Sequence, residues 1–290
     1  VKPINIPIVS LMPENDEAVE FMAMPREMMT FEMPRLPEPA VDADVAGARD
    51  VLDAFIGHFD KWLAQGGAPA ALELAGLPAD ALRVLNETLG EGEVAAIVDL
   101  GAQASNGSIR IQETVFSGVW REQHFAGSGA LVHDYLLAAP IPPVVTALAR
   151  SRAAPKLRDL PLPAGAMNVP ALVNELQDAM DRCAPGSPPH VVNLTLLPLS
   201  PEDTAHLDAL LEGGSVVVLS RGFGNCRISS TAARHVWRVQ YFNNMQTLIL
   251  NTIEVTEMPE VAIAAREDLE ETRSRLADLV QWMGDSIAVA

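Results

Sequence analysis

The chain has 290 residues, 49% of them hydrophobic, and a net charge of −18 at pH 7. Such a surface repels phosphate backbones and anionic bilayers at long range, which excludes nucleic acid and membrane surfaces as partners and favours a basic peptide or protein. Two cysteines, Cys183 and Cys226, are too few for a disulfide scaffold, and they point to a reducing cytoplasm.

Residues 1–45 are expected to be an extended arm. They hold Pro3, Pro7, Pro13, Pro25, Pro34, Pro37 and Pro39 and six of the eleven methionines, and prolines at this density remove backbone donors and break helices. Met22, Met24, Met28, Met29 and Phe31 would give the arm a soft apolar surface that adapts to a partner. From Val45 to Leu63 the residues Val51, Leu52, Phe55, Ile56, Phe59 and Trp62 recur at three and four, the face of a helix ending at Gly66-Gly67. A weak apolar run at Ala70–Leu74 reads as a strand, and Pro78–Leu89 as a helix stopped at Gly90. The period then drops to two, which predicts four strands of an antiparallel meander: Val94–Val98, Ile109–Val115, Gly118–Phe125 and Leu131–Ala138. Pro142 ends the last of these.

Residues 151–169, with Pro155, Pro161, Pro163 and Gly165, read as a linker between a first domain at 46–150 and a second at 170–290. The second domain opens with a helix capped by Asn168 and buried along Leu172, Leu176 and Met180. A strand at Val191–Leu197 and a helix at Pro201–Leu211 follow. The next four strands are Val216–Leu219, Arg227–Thr231, Arg234–Phe242 and Thr247–Val255, ended by Pro259. In the third of them, His235, Trp237, Val239 and Tyr241 share the expected core face, and Val236, Arg238 and Gln240 share the polar one. A C-terminal helix from about Arg266 to Met283, stopped at Gly284, closes the chain.

The order of elements repeats because the sequence does. Ile111–Pro142 returns without a gap as Ile228–Pro259 at a constant offset of 117, with Val119-Trp120-Arg121 meeting Val236-Trp237-Arg238. Upstream, Leu77, Leu85, Leu89, Gly92 and Val94 meet Leu199, Leu207, Leu211, Gly214 and Val216 at an offset of 122. A period this long is a duplicated domain and not a solenoid, whose repeats run about 20 to 50 residues. The expected fold is therefore α+β: two homologous tandem halves, each helix–strand–helix followed by a meander, related by a pseudo-two-fold.

Chemistry is sparse. The chain contains no phosphate-binding loop, no HExxH and no GxSxG, and its six histidines have no ligand-like spacing, so neither a catalytic residue nor a metal or other cofactor is expected. His235, two residues from Trp237, reads either as a satisfied core histidine or as a ligand or base. Cys226 reads as a small strand residue or, less simply, as a reactive thiol. Arg121 and Arg238 recur in both halves on a polar strand face. They are solvated or paired within the chain, or they are two equivalent anchors for a partner.

Several strings taken together resemble the HupH/HyaF family of hydrogenase expression proteins. These are Leu89-Gly-Glu-Gly-Glu-Val94, Ile111-Gln-Glu113, Gly118-Val-Trp-Arg121, Asn193-Leu-Thr195, Arg234-His-Val-Trp237, Pro259-Glu-Val261 and Glu267-Asp-Leu269, with Met22-Ala-Met-Pro25 and Thr30-Phe31 in the arm. The resemblance implies a chaperone-like accessory protein for maturation of an uptake nickel–iron hydrogenase, acting on its iron–sulfur small-subunit precursor. It also keeps open a scaffold linking other hydrogenase accessory proteins, or an enzyme with an unfamiliar site between the halves. The family brings no catalytic residue to transfer, and Cys226 does not look like a family position, which weakens a thiol mechanism.

Overall fold

A computed structural model describes residues 42–101, 106–222 and 224–289. The fold is α+β: the described residues form six helices and ten strands, all ten strands in a single antiparallel sheet.

The chain begins with α1 (Asp42–Gln65), β1 (Ala70–Glu73) and α2 (Ala79–Leu89). The meander β2 (Val94–Asp99), β3 (Ser108–Glu113), β4 (Val119–Phe125) and β5 (Leu131–Ala138) follows, and then α3 (Pro143–Arg152). The second half runs α4 (Val169–Arg182), β6 (His190–Asn193), a 3-10 turn at Leu194–Leu196 and α5 (Pro201–Leu211). Its meander is β7 (Val216–Ser220), β8 (Asn225–Ser230), β9 (Val236–Phe242) and β10 (Leu248–Val255), followed by a 3-10 turn at Glu260–Ala262 and α6 (Arg266–Val289).

The sheet order is β1-β5-β4-β3-β2-β7-β8-β9-β10-β6, so the two meanders run outward from the β2·β7 pair and end at β1 and β6. The two domains expected from the sequence thus share one sheet. The pairing registers correspond as well: Arg110 faces Gln123 and Gln112 faces Arg121 in the first meander, and Arg227 faces Gln240 and Ser229 faces Arg238 in the second.

Three apolar clusters hold the layers. On one face of the sheet, α1, α2 and α6 bury Phe55, Phe59, Leu85 and Leu276 against Val119 and Leu136, while α4 and α5 bury Leu176, Leu207 and Leu210 against Val236 and Ile253. The centre of the other face carries Ala96, Val98, Val216, Val218, Trp120 and Trp237, covered by Val145 and Ala149 of α3 and by Ala262. Both tryptophans are buried, and each indole N–H donates to a carbonyl nineteen residues on: Trp120 Nε1 to Ala139 O at 2.8 Å and Trp237 Nε1 to Thr256 O at 3.2 Å.

Five expectations change. Val191–Leu197 is a strand only as far as Asn193, after which Leu194–Leu196 turn as a 3-10 helix closed by Thr195 N–H donating to Asn193 Oδ1 at 3.0 Å. α3 was not anticipated; only Val145 and Ala149 are buried along it, too thin a stripe to show a helical period. Gly284 does not stop α6, which continues to Val289. Its bare Cα instead leaves room for the end of the Arg49 side chain, since a Cβ there would lie 3.2 Å from Cζ of Arg49. Asn168 does not cap α4 with its side chain, which donates to Pro198 O at 2.7 Å. The buried Asp203 carboxylate of α5 accepts from the backbone N–H groups of Met167, Asn168 and Val169, and also closes a capping box with Ser200 at its own helix. Burial opposes its charge, but the N–H groups of Val169, Ser200, Met167 and Asn168 outweigh that and hold the carboxyl below its ordinary range. Finally, the face bearing Val236 and Arg238 is not left to solvent but is covered by α4 and α5.

Removing either indole empties a site that the surrounding strands cannot close. Trp237→Ala is expected to cost about 3–5 kcal/mol in urea unfolding, and Trp120→Ala a similar amount. A loss below about 1 kcal/mol for either would contradict their place in one shared core.

Candidate functional site

The two arginines singled out in the sequence point inward. Arg121 on β4 grips Asp134 on the neighbouring β5 through Nε and Nη2, and its Nη1 donates to Asn86 Oδ1 on α2. Arg238 on β9 donates through Nε to Asn251 Oδ1 on β10 at 3.2 Å, and through Nη1 to Asp208 on α5. Each guanidinium therefore straps a helix to the sheet, with one carboxylate and one carboxamide as partners. The carboxylate comes from the strand in the first half and from the helix in the second. With only 15% of the Arg121 side chain and 25% of that of Arg238 exposed, this geometry is that of a clamp rather than of two free anchors. Met22, Met24, Met28, Met29 and Phe31 lie outside the described residues.

Cys226, paired across the sheet with Ser220 and Tyr241, is buried in the central apolar cluster, and burial pushes its thiol up to about 11, so it stays protonated and unreactive at neutral pH. Burial likewise raises the neighbouring Tyr241 hydroxyl to about 12. Among the described residues no group of three or more His, Cys, Asp or Glu could hold a metal ion, and no helix is long and apolar enough to cross a membrane.

A cleft of about 730 Å³ lies elsewhere, between α3, the Gly186–Pro189 loop, the β8–β9 turn and the segment after β10. Ile141, Trp237, Met258 and Ile263 give it apolar walls, and Arg150, His235, Glu257 and Glu260 supply the charged and titratable groups. His235 reaches this place because of its turn. Thr231 Oγ1 donates to Ala233 O and accepts from the Ala233 N–H, which curls the chain and leaves His235 in the left-handed region at φ 66°. The β3–β4 turn is built the same way on Thr114 and Phe116, and there the left-handed residue is Gly118, at φ 74°.

The two turns differ in what covers them. Leu269 of α6 lies directly over Gly118, where a Cβ would come within 2.2 Å of Leu269 Cδ2. His235 instead lines the open cleft. Burial, then the Arg150 charge, hold its imidazole below the ordinary value of 6.5; Glu257 opposes them and Arg234 adds to them. The imidazole is therefore a neutral group beside two cations, Arg150 and Arg234, and the Glu257 carboxylate. Sequence spacing did not reveal the cleft, because its walls come from four separate segments; the one available signal was a histidine standing where the first half has Gly118.

His235→Gly relaxes a left-handed backbone that costs a non-glycine residue roughly 1–2 kcal/mol, against some lost packing, so stability at neutral pH is expected to change by less than about 1 kcal/mol. The sign of the pH effect follows from the lowered native value. The unfolded chain takes up the proton first as pH falls through about 6.5, so the contribution of His235 is present above that pH and lost below it; the glycine variant should lose less stability between about pH 7.5 and 5.5. Gly118→Ala, by contrast, combines left-handed strain with a clash against buried Leu269 and should cost about 2–4 kcal/mol. Urea unfolding of the three proteins at both pH values checks this. A harmless Gly118→Ala would contradict the described seat of Leu269.

Residues 45–157 and 166–283 each match the HupH hydrogenase expression protein, C-terminal conserved region. The hydrogenase expression/formation protein HoxQ of Cupriavidus necator is 41% identical over 283 residues, spanning 96% of this chain and 98% of that one. The hydrogenase expression/formation protein HupH of Rhodobacter capsulatus is 42% identical over 274 residues, 93% of each chain. The hydrogenase-1 operon protein HyaF of Escherichia coli is 34% identical over 221 residues, 76% of this chain and 75% of that one. Both segments of the sheet and nearly the whole length are covered, and the chain belongs to the HupH/HyaF family of hydrogenase expression proteins.

Proposed function

We propose that the protein is a cytoplasmic accessory factor for maturation of an uptake nickel–iron hydrogenase, acting as a chaperone for the iron–sulfur small-subunit precursor and not as an enzyme. The observation that carries the role in maturation is the correspondence, over 96% of this chain, with a relative named for hydrogenase expression and formation. Choosing the small-subunit precursor goes further and rests on the family resemblance and on charge. A net charge of −18 attracts a basic segment, such as the twin-arginine signal that precursors of this kind are expected to carry. The methionines and Phe31 of residues 1–45 would supply an adaptable apolar contact that slows dissociation.

We infer also that the two halves arose by duplication. The matching of one family description twice, at 45–157 and 166–283, supports this, as do the shared registers of the two meanders and the paired Thr114 and Thr231 turns.

Steering of this kind is screened over about 8 Å at physiological ionic strength, so it acts on encounter more than on the bound state. Raising salt from about 50 to 300 mM should slow association with the purified precursor several-fold while leaving dissociation nearly unchanged. Deleting residues 1–40 should speed dissociation and leave the circular dichroism spectrum of the fold intact. A precursor that does not bind, or that binds with indifference to both changes, would contradict this reading.

A further inference from the structure

On its helix-bearing face the sheet is packed at its two ends and not in its middle. The clusters under α1, α2 and α6 and under α4 and α5 take sheet residues only from β1, β4 and β5 and from β6, β9 and β10. Ala95 and Ile97 of β2 and Val217 and Leu219 of β7 alternate with residues of the central cluster on the opposite face, so they point to the helix side, yet they belong to none of the three clusters. Ile97, Val217 and Leu219 are half-buried. The registers set them in two rows across the sheet, Gln112, Ala95, Leu219 and Arg227 in one and Arg110, Ile97, Val217 and Ser229 in the next. α2 is strapped to β4 through Arg121 and Asn86, and α5 to β9 through Arg238 and Asp208. β4 and β9 stand five strand spacings apart, about 24 Å, and each helix is about 10 Å across, so about 14 Å of sheet lies between the two straps. That is the width of one more helix.

The walls of this strip are basic. Arg110, whose Cζ lies 4.8 Å from the centroid of the Phe125 ring, stands on the β3 side, and Arg227 stands on the β8 side with a buried Nε that has no hydrogen-bond partner among the described residues. No carboxylate stands between them in either row. Further out, Arg121 and Arg238 are neutralised by Asp134 and Asp208, and Arg83 on α2 by Glu87. The carboxylates of the strip lie at its ends: Glu93 beside Gly222 and Arg221, and Asp99, which accepts from the Gly101 N–H at 2.7 Å. Arg110 and Arg227 sit on opposite walls and are offset by one two-residue step, about 7 Å along the strands. Two helix residues five apart differ by about 7.5 Å along the axis and about 140° around it, which places one carboxylate on each guanidinium and the side chains between them on the floor.

We propose that this strip is a docking site for one amphipathic helix of a partner protein, lying along the strands, with carboxylates at i and i+5 on Arg227 and Arg110 and apolar residues at i+1, i+4 and i+8 on Ile97, Val217 and Leu219. The mode is a helix laid in a groove, in which apolar burial supplies the anchor and the two guanidinium–carboxylate pairs set the register. A net charge of −18 opposes an acidic helix at long range, so the partner helix carries its carboxylates on the flanks that meet the groove and not over its whole surface. The strip is a surface that the proposed function does not use, and a free peptide tests it.

The probe is the electrically neutral helix Ac-Ala-Leu-Ala-Lys-Glu-Leu-Gln-Ala-Leu-Glu-Lys-Ala-Leu-Ala-Gln-Ala-NH2, titrated into the full isotope-labelled chain while amide resonances are followed. Saturable shifts are expected at Ile97, Val217 and Arg227. Replacing both glutamates of the peptide by glutamine, or using the Arg110→Gln/Arg227→Gln double variant of the protein, should each weaken binding about five- to twentyfold, in keeping with two partly exposed charge pairs. Val217→Gln keeps both arginines and removes part of the floor, and it should weaken binding at least about tenfold while leaving resonances outside the strip in place. Four results would overturn the proposal. These are no saturable shift on β2, β7 or β8; equal binding of the glutamate and glutamine peptides; shifts at the same residues that follow the concentration of the chain alone, which would make a second copy the occupant; and binding that appears only after residues 1–40 are deleted, which would make the chain's own N-terminal segment the occupant.

Discussion

The structure depends on the pairing of β2 with β7. Val94–Val98 lies antiparallel to Val216–Ser220, and this is the only ladder among the described residues that joins the two meanders. Separated, each half would expose a full-length edge strand and one side of the cluster that holds Ala96, Val98, Val216 and Val218, all of them fully buried. Unpaired strand edges template aggregation, and apolar burial at roughly 25 cal/mol per Å² is the largest favourable contribution to folding, so neither half is well served alone. The short strands β1 and β6, of four residues each, are what remains at the margins of the sheet. Joined at β2·β7, the sheet has two short, manageable edges in place of the four that two separate half-sheets would expose.

With that seam in place, the remaining contacts fall into matched pairs whose differences carry information. The arginine clamps keep their geometry while the carboxylate moves from strand to helix, from Asp134 with Asn86 to Asp208 with Asn251. Charge balance at each clamp is thereby kept, although neither partner is individually retained. The Thr114 and Thr231 turns likewise share their hydrogen bonds, but Leu269 of α6 packs on the first, whereas the backbone of Ala154 bridges the second.

Much of this was legible in the sequence where local physics decides. Strands β2 to β5 and β7 to β10 follow the period-two alternation within one or two residues at each end, and α5 spans Pro201–Leu211 as the apolar period places it. The same reasoning failed wherever a distant residue intervened. Asn168 has the chemistry of a cap, but its side chain is turned to Pro198 O, and Asp203, more than thirty residues away, accepts from the Asn168 and Val169 N–H groups where the helix begins. Gly284 has the chemistry of a stop, but what it supplies is a close approach to Arg49. Arg121 and Arg238 read as polar-face residues because periodicity cannot tell a solvated face from one covered by a helix. The cleft was invisible for the same reason, as His235 gains its surroundings from α3 and from the segment after β10. The reading of the arm at Met22, Met24, Met28, Met29 and Phe31 remains a matter for binding experiments.

The central claim is that the halves fold as one body through the β2·β7 seam. Native-state hydrogen exchange, followed at individual amides across a range of sub-denaturing urea concentrations, addresses it directly. The account predicts that the paired amides of Val94–Val98 and Val216–Ser220 exchange only by global unfolding, with one shared free energy and one shared urea dependence in both strands. If β2 and β7 opened at different free energies, or if either meander exchanged completely while the other stayed protected, the halves would be independent units in contact and the account would be wrong.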